Sequence, residues 1–255
     1  MLIAGRNAML AGGGSQPSGG YWGLCFTAEE PNCVVNMSKK GTPPAVTLET
    51  SPDGMTWTLF DADGGTTPIT LAAVGDKVYF RAGSGGNSQF ALSNSNRHTF
   101  TITGKTAASG SIMSLLDATN EGMDSLVDCG DFTFNSLFYD CSSLTSAPSL
   151  PATVLRSGCY YAMFMRCSSL TSAPSLPATV LPTTNCCQRM FQSCSSLAEV
   201  RVAFSAWNGN ATTNWLSGVA ATGTFYCPTA LGTDATITRG TNYCPTGWTV
   251  VNTDA

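Results

Sequence analysis

His98 is the single histidine in this chain of 255 residues, set beside Arg97 in the alternating run His98-Thr-Phe-Thr-Ile-Thr103. A serine hydrolase would need a serine and an aspartate around it, and the chain has no Gly-x-Ser-x-Gly turn to expose such a serine. A cysteine-protease pairing would have to recruit a distant thiol. Asp61-Ala-Asp-Gly-Gly65 opens like a calcium loop but lacks a third acidic ligand and the closing glutamate, so it reads as a hairpin turn. Asp117, Glu121, Asp124, Asp128 and Asp131 place several carboxylates in one stretch. Paired carboxylates can hydrolyse glycosides, but here they read as a solvated surface. Gly83-Ser-Gly-Gly86 is not followed by Lys-Ser/Thr, as a phosphate loop would be. The expectation is a protein without catalytic residues or cofactor.

Eleven cysteines remain to be explained. Cys141, Cys167 and Cys194 share one register, Cys159 and Cys186 a second, with Cys187 beside it. Equivalent residues of stacked strands lie about 4.8 Å apart, closer than most disulfide-linked Cα atoms. These six therefore read as buried thiols acting as small apolar fillers. CxxC is absent, and no metal site is expected. Cys227 and Cys244 differ, since each precedes proline in a Tyr-Cys-Pro triplet; they are the candidate disulfide, closing a terminal loop. Cys25 and Cys33 are a weaker candidate pair.

The register that aligns the cysteines is a repeat. Cys141 to Leu155 recurs unchanged as Cys167 to Leu181, and a shortened copy starts at Cys194-Ser-Ser-Leu-Ala198. Repeats of 20 to 50 residues mark stacked architectures in which no unit buries its apolar face alone. The expected repeat core is Phe138, Cys141 and Leu144, then Phe164, Cys167 and Leu170, then Phe191, Cys194 and Leu197. Leu-Thr-Ser-Ala-Pro-Ser-Leu is too short and too rich in Ser and Pro for a helix and reads as an extended row. Pro148 and Pro174 lack a backbone donor, so that row must pair incompletely. The stretches around 159–163 and 186–190 lack Gly and Pro and are expected to form one or two helical turns on the opposite side.

The pattern Met-Phe-x-x-Cys-Ser-Ser-Leu-Thr-x-Ala-Pro-x-Leu-Pro-Ala-Thr, over about residues 134–200, resembles the leucine-rich repeats of the BspA-like family, found in many surface proteins of gut and oral bacteria. It departs from the common consensus in using Ala-Pro-Ser-Leu-Pro where an Ile-rich strand is usual. The resemblance implies a right-handed solenoid and a role in adhesion or binding. Glu49 to Trp57 followed by Val74 to Arg81 looks like the β domain that often precedes such repeats. Met1 to Leu10 resembles the N-terminal peptides of fibre-like proteins encoded by phages of gut bacteria.

The rest of the chain organises around the repeat. Residues 1–20 read as a flexible N-terminal peptide and Gly/Ser linker. Residues 21–104 alternate in short runs, with turns at Ser51-Pro-Asp-Gly54 and Val74-Gly-Asp-Lys77, and read as an antiparallel β-sandwich-like domain. Residues 105–203 form the solenoid, opened by a capping segment at Gly110 to Leu116. Residues 204–255 carry Trp207, Trp215, Phe225 and Trp248, expected as an aromatic C-terminal cap over the apolar face of the last coil. The fold class is mainly β.

Charged residues make up 11% and the net charge is −4, without the basic run that nucleic-acid binding needs. No apolar stretch approaches the length of a transmembrane span. Arg6 and Asn7 interrupt the apolar start, which makes it a poor signal peptide. The expected function is non-enzymatic surface recognition: a phage fibre or virion decoration protein at the virion surface, or alternatively an adhesin at the bacterial cell surface. The expected partners are virion or cell-surface components, and a host glycan or surface protein, with homo-oligomerisation on a virion. The expected binding strip is the hydroxyl row Thr145, Ser146 and Ser149 with its copy Thr171, Ser172 and Ser175.

Overall fold

The computed structural model describes residues 23–63, 68–119, 123–182 and 184–254. The leading peptide and linker lie outside the described residues, as do Gly64, Gly65, Glu121 and Thr183. The chain is mainly β, built on several antiparallel pairings, and no described helix is long and apolar enough to cross a membrane.

Nine strands come first: β1 (Cys25–Ala28), β2 (Cys33–Lys40), β3 (Leu48–Ser51), β4 (Thr58–Phe60), β5 (Ile69–Leu71), β6 (Lys77–Ala82), β7 (Ala91–Ser93), β8 (Asn96–Thr103) and β9 (Thr106–Ser109). They form two sheets. In one, β9, β1, β6, β3 and β4 lie side by side; the other has the order β5-β2-β8-β7. All pairings among these nine are antiparallel. Alternation explains the layers: β6 buries Val78, Phe80 and Ala82, and β2 buries Cys33, Val35 and Met37, so each sheet turns one face to a shared core. Phe26, Phe60, Phe80 and Phe100 fill it edge to face, with ring centroids 5.1 to 5.6 Å apart, the geometry that ring quadrupoles favour. At the Ser51-Pro-Asp-Gly54 turn, Gly54 takes φ 77°, as a left-handed turn position requires. Asp53 accepts from the N–H groups of Thr56 and Met55 and from the Ser51 hydroxyl, which lowers its pKa to about 2.

The first sheet does not stop at β9. Strand β10 (Leu144–Ser146) pairs with β9 in parallel and makes it six-stranded. Between them a single 3-10 turn, Ile112–Leu115, is capped by Ser111 and buries Ile112, Met113 and Leu115. Three further parallel strands, β11 (Glu199–Arg201), β12 (Thr224–Cys227) and β13 (Thr249–Asn252), form a separate sheet. The second copy of the extended row joins this sheet only through bridges from Ser172 to Glu199 and Leu176 to Val202. The ladder is thus interrupted between the two identical rows, each of which carries a proline with no N–H to give.

On the opposite side the helical turns expected at 159–163 and 186–190 are not formed. Residues 131–141, 156–167 and 184–194 are ribbons of overlapping turns. In the first, the N–H groups of Asn135, Leu137, Tyr139 and Cys141 bond three residues back. Those of Phe134, Ser136, Phe138 and Asp140 cross to Cys159, Tyr161, Met163 and Met165 of the next ribbon. The second ribbon repeats this towards Cys186, Gln188, Met190 and Gln192, and the third towards Ala211, Thr213, Trp215 and Ser217. An α-helix keeps its N–H groups to itself, so donors sent sideways rule it out. A left-handed residue falls at every fourth position: Phe132, Ser136 and Asp140, then Gly158, Ala162 and Arg166, then Asn185, Arg189 and Ser193. That too excludes a right-handed helix.

One buried core runs through all of this. Phe100 of β8 stacks on Phe138 at 5.4 Å, Phe138 on Phe164 at 5.2 Å and Phe164 on Phe191 at 5.5 Å, the last two pairs within 4° of parallel. The repeated turns continue the packing of the sandwich without a break.

Candidate functional site

Each hydroxyl of the expected strip has a place in the extended rows, and the two copies fare differently. Thr145 Oγ1 donates to Thr106 O at 3.3 Å, Ser146 Oγ to Ala108 O at 2.8 Å and Ser149 Oγ to Gly110 O at 2.9 Å. These three tie the first row to β9 and the segment after it. Thr171, Ser172 and Ser175 are exposed. The same hydroxyls are therefore bonded to the first sheet and the segment after it in one copy, with Thr145 and Ser146 half-buried and Ser149 exposed, and turned outward in the other, because only the first row lies against the sandwich edge.

Beside the second row the structure adds residues that the sequence reading did not single out. Ser172 bridges Glu199, which lies in register with Thr224 and Thr249; Arg201 lies in register with Tyr226 and Val251. The Arg201 guanidinium sits 3.4 Å from the centre of the Tyr226 ring, and its Nε donates to Glu199 Oε1 at 3.0 Å. Both charged side chains are exposed by about 40% (44% and 38%), so the pair adds little stability and is available at the surface. The signal was in the third repeat copy, where Ala198-Glu-Val-Arg-Val202 replaces Thr-Ser-Ala-Pro-Ser. That alternation reads as a strand with two charges on its outer face.

The repeat-core residues Phe138, Cys141, Leu144, Phe164, Cys167, Leu170, Phe191, Cys194 and Leu197 are all buried. All eleven cysteines are free thiols. Cys227 and Cys244, the candidate disulfide, are not joined: Cys227 Sγ faces Gly232 O at 3.7 Å, while Cys244 Sγ accepts from Arg239 Nη1 at 3.2 Å. Each sulfur is engaged by a different part of the terminal loop. Cys25 and Cys33 are also unpaired, one in each sheet. Burial pushes the Cys194 thiol up to about 12 and those of Cys227 and Cys244 to about 11. Tyr160 is raised well above its ordinary value by burial and by the neighbouring thiols Cys159, Cys187 and Cys186. Among the described residues no group of three or more His, Cys, Asp or Glu side chains is arranged to hold a metal ion.

His98 is buried in the sandwich, with Nδ1 3.3 Å from Ala62 O and Nε2 3.0 Å from Pro44 O. Its neighbour Arg97 is buried too. It donates to Asn94 O, to Asn94 Oδ1 at 3.1 Å and to Thr99 Oγ1 at 3.3 Å, and it lies 5.1 Å from the Tyr139 ring. Desolvation lowers its pKa, against the opposing pull of Tyr139. In the acidic stretch, Asp131 pairs with Arg156 at 3.2 Å and Asp117 accepts from Thr119, while Asp124 and Asp128 are exposed.

At the C-terminal end Trp207 packs against Phe204, Trp215, Phe225 and Tyr243, with centroids 5.3 to 6.2 Å apart. Trp215 and Trp248 are buried, and their indole N–H groups donate to Tyr243 O and Ala220 O. β13 is finished by Asp234, whose Oδ1 accepts from Val250 N at 2.9 Å and from Arg239 Nη2 at 2.7 Å. Arg239 also donates to Trp248 O and Pro245 O. Comparison with protein-family models, with curated proteins and with solved structures finds no match to this chain.

Proposed function

We propose that this chain is a non-enzymatic surface-recognition protein carried on a phage virion as a fibre or decoration, with the outer surface of a bacterium as the other setting. In this reading residues 105–203 act as a short leucine-rich-repeat solenoid of the BspA-like kind, with residues 204–255 as its C-terminal cap. The ribbons that pass every second N–H to the next repeat support it, as does the phenylalanine column they share with the sandwich. The recognition face is the outward row Thr171, Ser172 and Ser175 with Glu199, Arg201 and Tyr226. The observation that carries the proposal is the different use of the two identical rows. One spends its hydroxyls on the sandwich, while the other presents them beside a guanidinium lying on an aromatic ring. Hydroxyls with one exposed charge of each sign suit a glycan or a polar protein surface better than a strongly charged polymer.

The test is binding of the full chain to intact bacterial cells and to arrayed cell-surface glycans, alongside a Ser172→Ala/Ser175→Ala/Arg201→Ala variant. The expected result is saturable binding that the variant loses while its melting temperature stays within a few degrees. Binding that the variant retains in full would place recognition elsewhere. An antibody against the chain that decorates purified virions assigns the virion setting; decoration of bacterial cells alone assigns the other.

A further inference from the structure

Seven arginines lie among the described residues. Four sit against a carboxylate: Arg81 on Glu49, Arg156 on Asp131, Arg201 on Glu199 and Arg239 on Asp234. The other three, Arg97, Arg166 and Arg189, have no ion-pair partner among the described residues. All three belong to the ribbon side of the molecule. Arg166 and Arg189 are ribbon residues at left-handed positions, φ 67° and 56°. Arg97 reaches the first ribbon from β8: its guanidinium lies 5.1 Å from the centre of the Tyr139 ring, and that of Arg166, from the second ribbon, lies 5.9 Å from the same ring. Tyr139 thus has one guanidinium from the layer before it and one from the layer after it. Arg97 is only 8% exposed, and a guanidinium so far out of water is ordinarily paired with an anion. Two further donors on this side have no acceptor. Asn135 is fully buried, and Ser136 Oγ donates to its Oδ1 at 2.7 Å, which orients the amide and leaves Nδ2 without a partner. Arg189 Nε is also buried without one.

We propose that the ribbon side is a second binding face, which takes an acidic sugar by its oxyanion on Arg166 and Arg189 and by its ring against Tyr139 and Tyr161. Guanidinium groups present forks of N–H donors that match the oxygens of a carboxylate, sulfate or phosphate. Tyr139 and Tyr161 are half-buried, as are Gln188 and Gln192 of the third ribbon, so flat rings and amides flank the cations. Rings with a polar tip and an apolar body suit a ligand that is itself both apolar and hydroxylated. Asp140, exposed one layer before Arg166, is the opposing charge, and it sets three cations against one carboxylate. A nucleic acid strand is disfavoured, because so few cations stand on a chain of net charge −4. The face lies across the coil from Thr171, Ser172 and Ser175, so it does not rest on what that row binds.

The experiment follows the arginine Nε–H signals of the full chain by NMR during titration with glucuronic acid, glucose 6-sulfate and glucose 6-phosphate, with glucose as the neutral control. The expected result is a saturable shift of the Arg166 and Arg189 signals with at least one acid and none with glucose, weakening as salt is raised. The acid that binds identifies the oxyanion. Arg166→Gln and Arg189→Gln should each weaken binding by about fivefold or more, since each removes a charged donor. Asp140→Asn should tighten it by about twofold to threefold, because a like charge is removed, and a gain of affinity cannot come from a damaged fold. Thermal melts check that all three variants remain folded. Silence with all three acids overturns the proposal, as does binding that survives the two arginine changes together, or an equal response to glucose. A tetraglutamate peptide that binds where the acid sugars do not overturns it in favour of an acidic protein segment.

Discussion

The Cys167 thiol donates to the Phe138 carbonyl of the preceding ribbon across 3.1 Å, in a site with no solvent exposure. Cys194 does the same to Phe164 O at 2.9 Å, and Cys141 to Phe100 O at 3.2 Å. Phe138 O and Phe164 O each also accept a backbone N–H, from Cys141 and Cys167 respectively, so the thiol takes the remaining lone pair. This position calls for a side chain that is small and apolar yet able to donate, and cysteine is that side chain.

Cys167→Ala is accordingly expected to cost about 1 to 2 kcal/mol through the lost sulfur packing and the weak donor. Cys167→Leu should cost more, because the close-packed slot has no room for added methylenes. Urea unfolding checks both: the midpoint should fall with the slope unchanged.

The buried thiols make stability depend on alkaline pH. Their folded pKa values are raised, to about 12 for Cys194, above an unfolded value near 9. The unfolded chain therefore holds fewer protons once pH passes 9. The contribution is fully present below pH 9 and is lost as pH rises towards 12, at up to about 1.4 kcal/mol per pH unit per thiol. Melting temperature should be flat up to pH 8.5 by this mechanism and fall steeply above pH 9. In native conditions a thiol reagent should react at the rate of unfolding; rapid native labelling of several cysteines would contradict the packing.

The left-handed columns predict opposite outcomes for two reciprocal changes. Ala162 is held at φ 48°, so Ala162→Gly should stabilise by roughly 0.5 to 1 kcal/mol through relief of Cβ strain. Gly158 shares its column with Phe132 and Asn185, yet a Cβ there would lie 2.3 Å from Phe132 Cδ1. Gly158→Ala should destabilise by about 2 kcal/mol or more. Thermal melts of the two variants settle the sign of each.

The hydrogen bonds of Asp234 near the C-terminus predict a response to acid. Asp234 is held below its ordinary pKa, first by the Val250 N–H and then by Arg239. Its contribution is present above the unfolded pKa and lost as pH falls through the folded one. Hydrogen exchange along β13 should speed up at low pH, and Asp234→Asn should reproduce part of that at neutral pH. Truncation after Ala203 removes the aromatic cluster and the Asp234–Arg239 pair together and should produce aggregation. A soluble fragment with a cooperative melt would show that the tail is dispensable.

Much of the packing was legible from spacing. Phe138, Phe164 and Phe191 stack because a spacing of 26 and then 27 residues brings like to like, and the alternation in residues 21–104 marks strands of a two-sheet layer. The ribbons were not legible. Asp140, Arg166 and Ser193 adopt positive φ, where a sequence reader looks for glycine. Their conformation is imposed by hydrogen bonds to the neighbouring repeat rather than by local preference. The pairing of β9 with β10 was hidden for a related reason: it crosses the point where the composition changes. Thr145, Ser146 and Ser149 carry the same letters as Thr171, Ser172 and Ser175. Only the position of the sandwich separates their roles, and no local pattern encodes it.

The alternating donors of the ribbons have one further consequence, and it concerns inheritance. The second and third ribbons receive their backbone bonds at equivalent positions, and all three pass them on at equivalent positions, so the interface between the first two is interchangeable with the next. An in-frame gain or loss of the 26 residues from Cys141 to Arg166 would leave both ends of the molecule meeting the surfaces they meet now. The unchanged second copy of Cys141 to Leu155 is the trace such an event leaves in a gene. The distance between the sandwich and the C-terminal aromatic cluster is thus a quantity that replication can alter in whole steps, without redesigning either end.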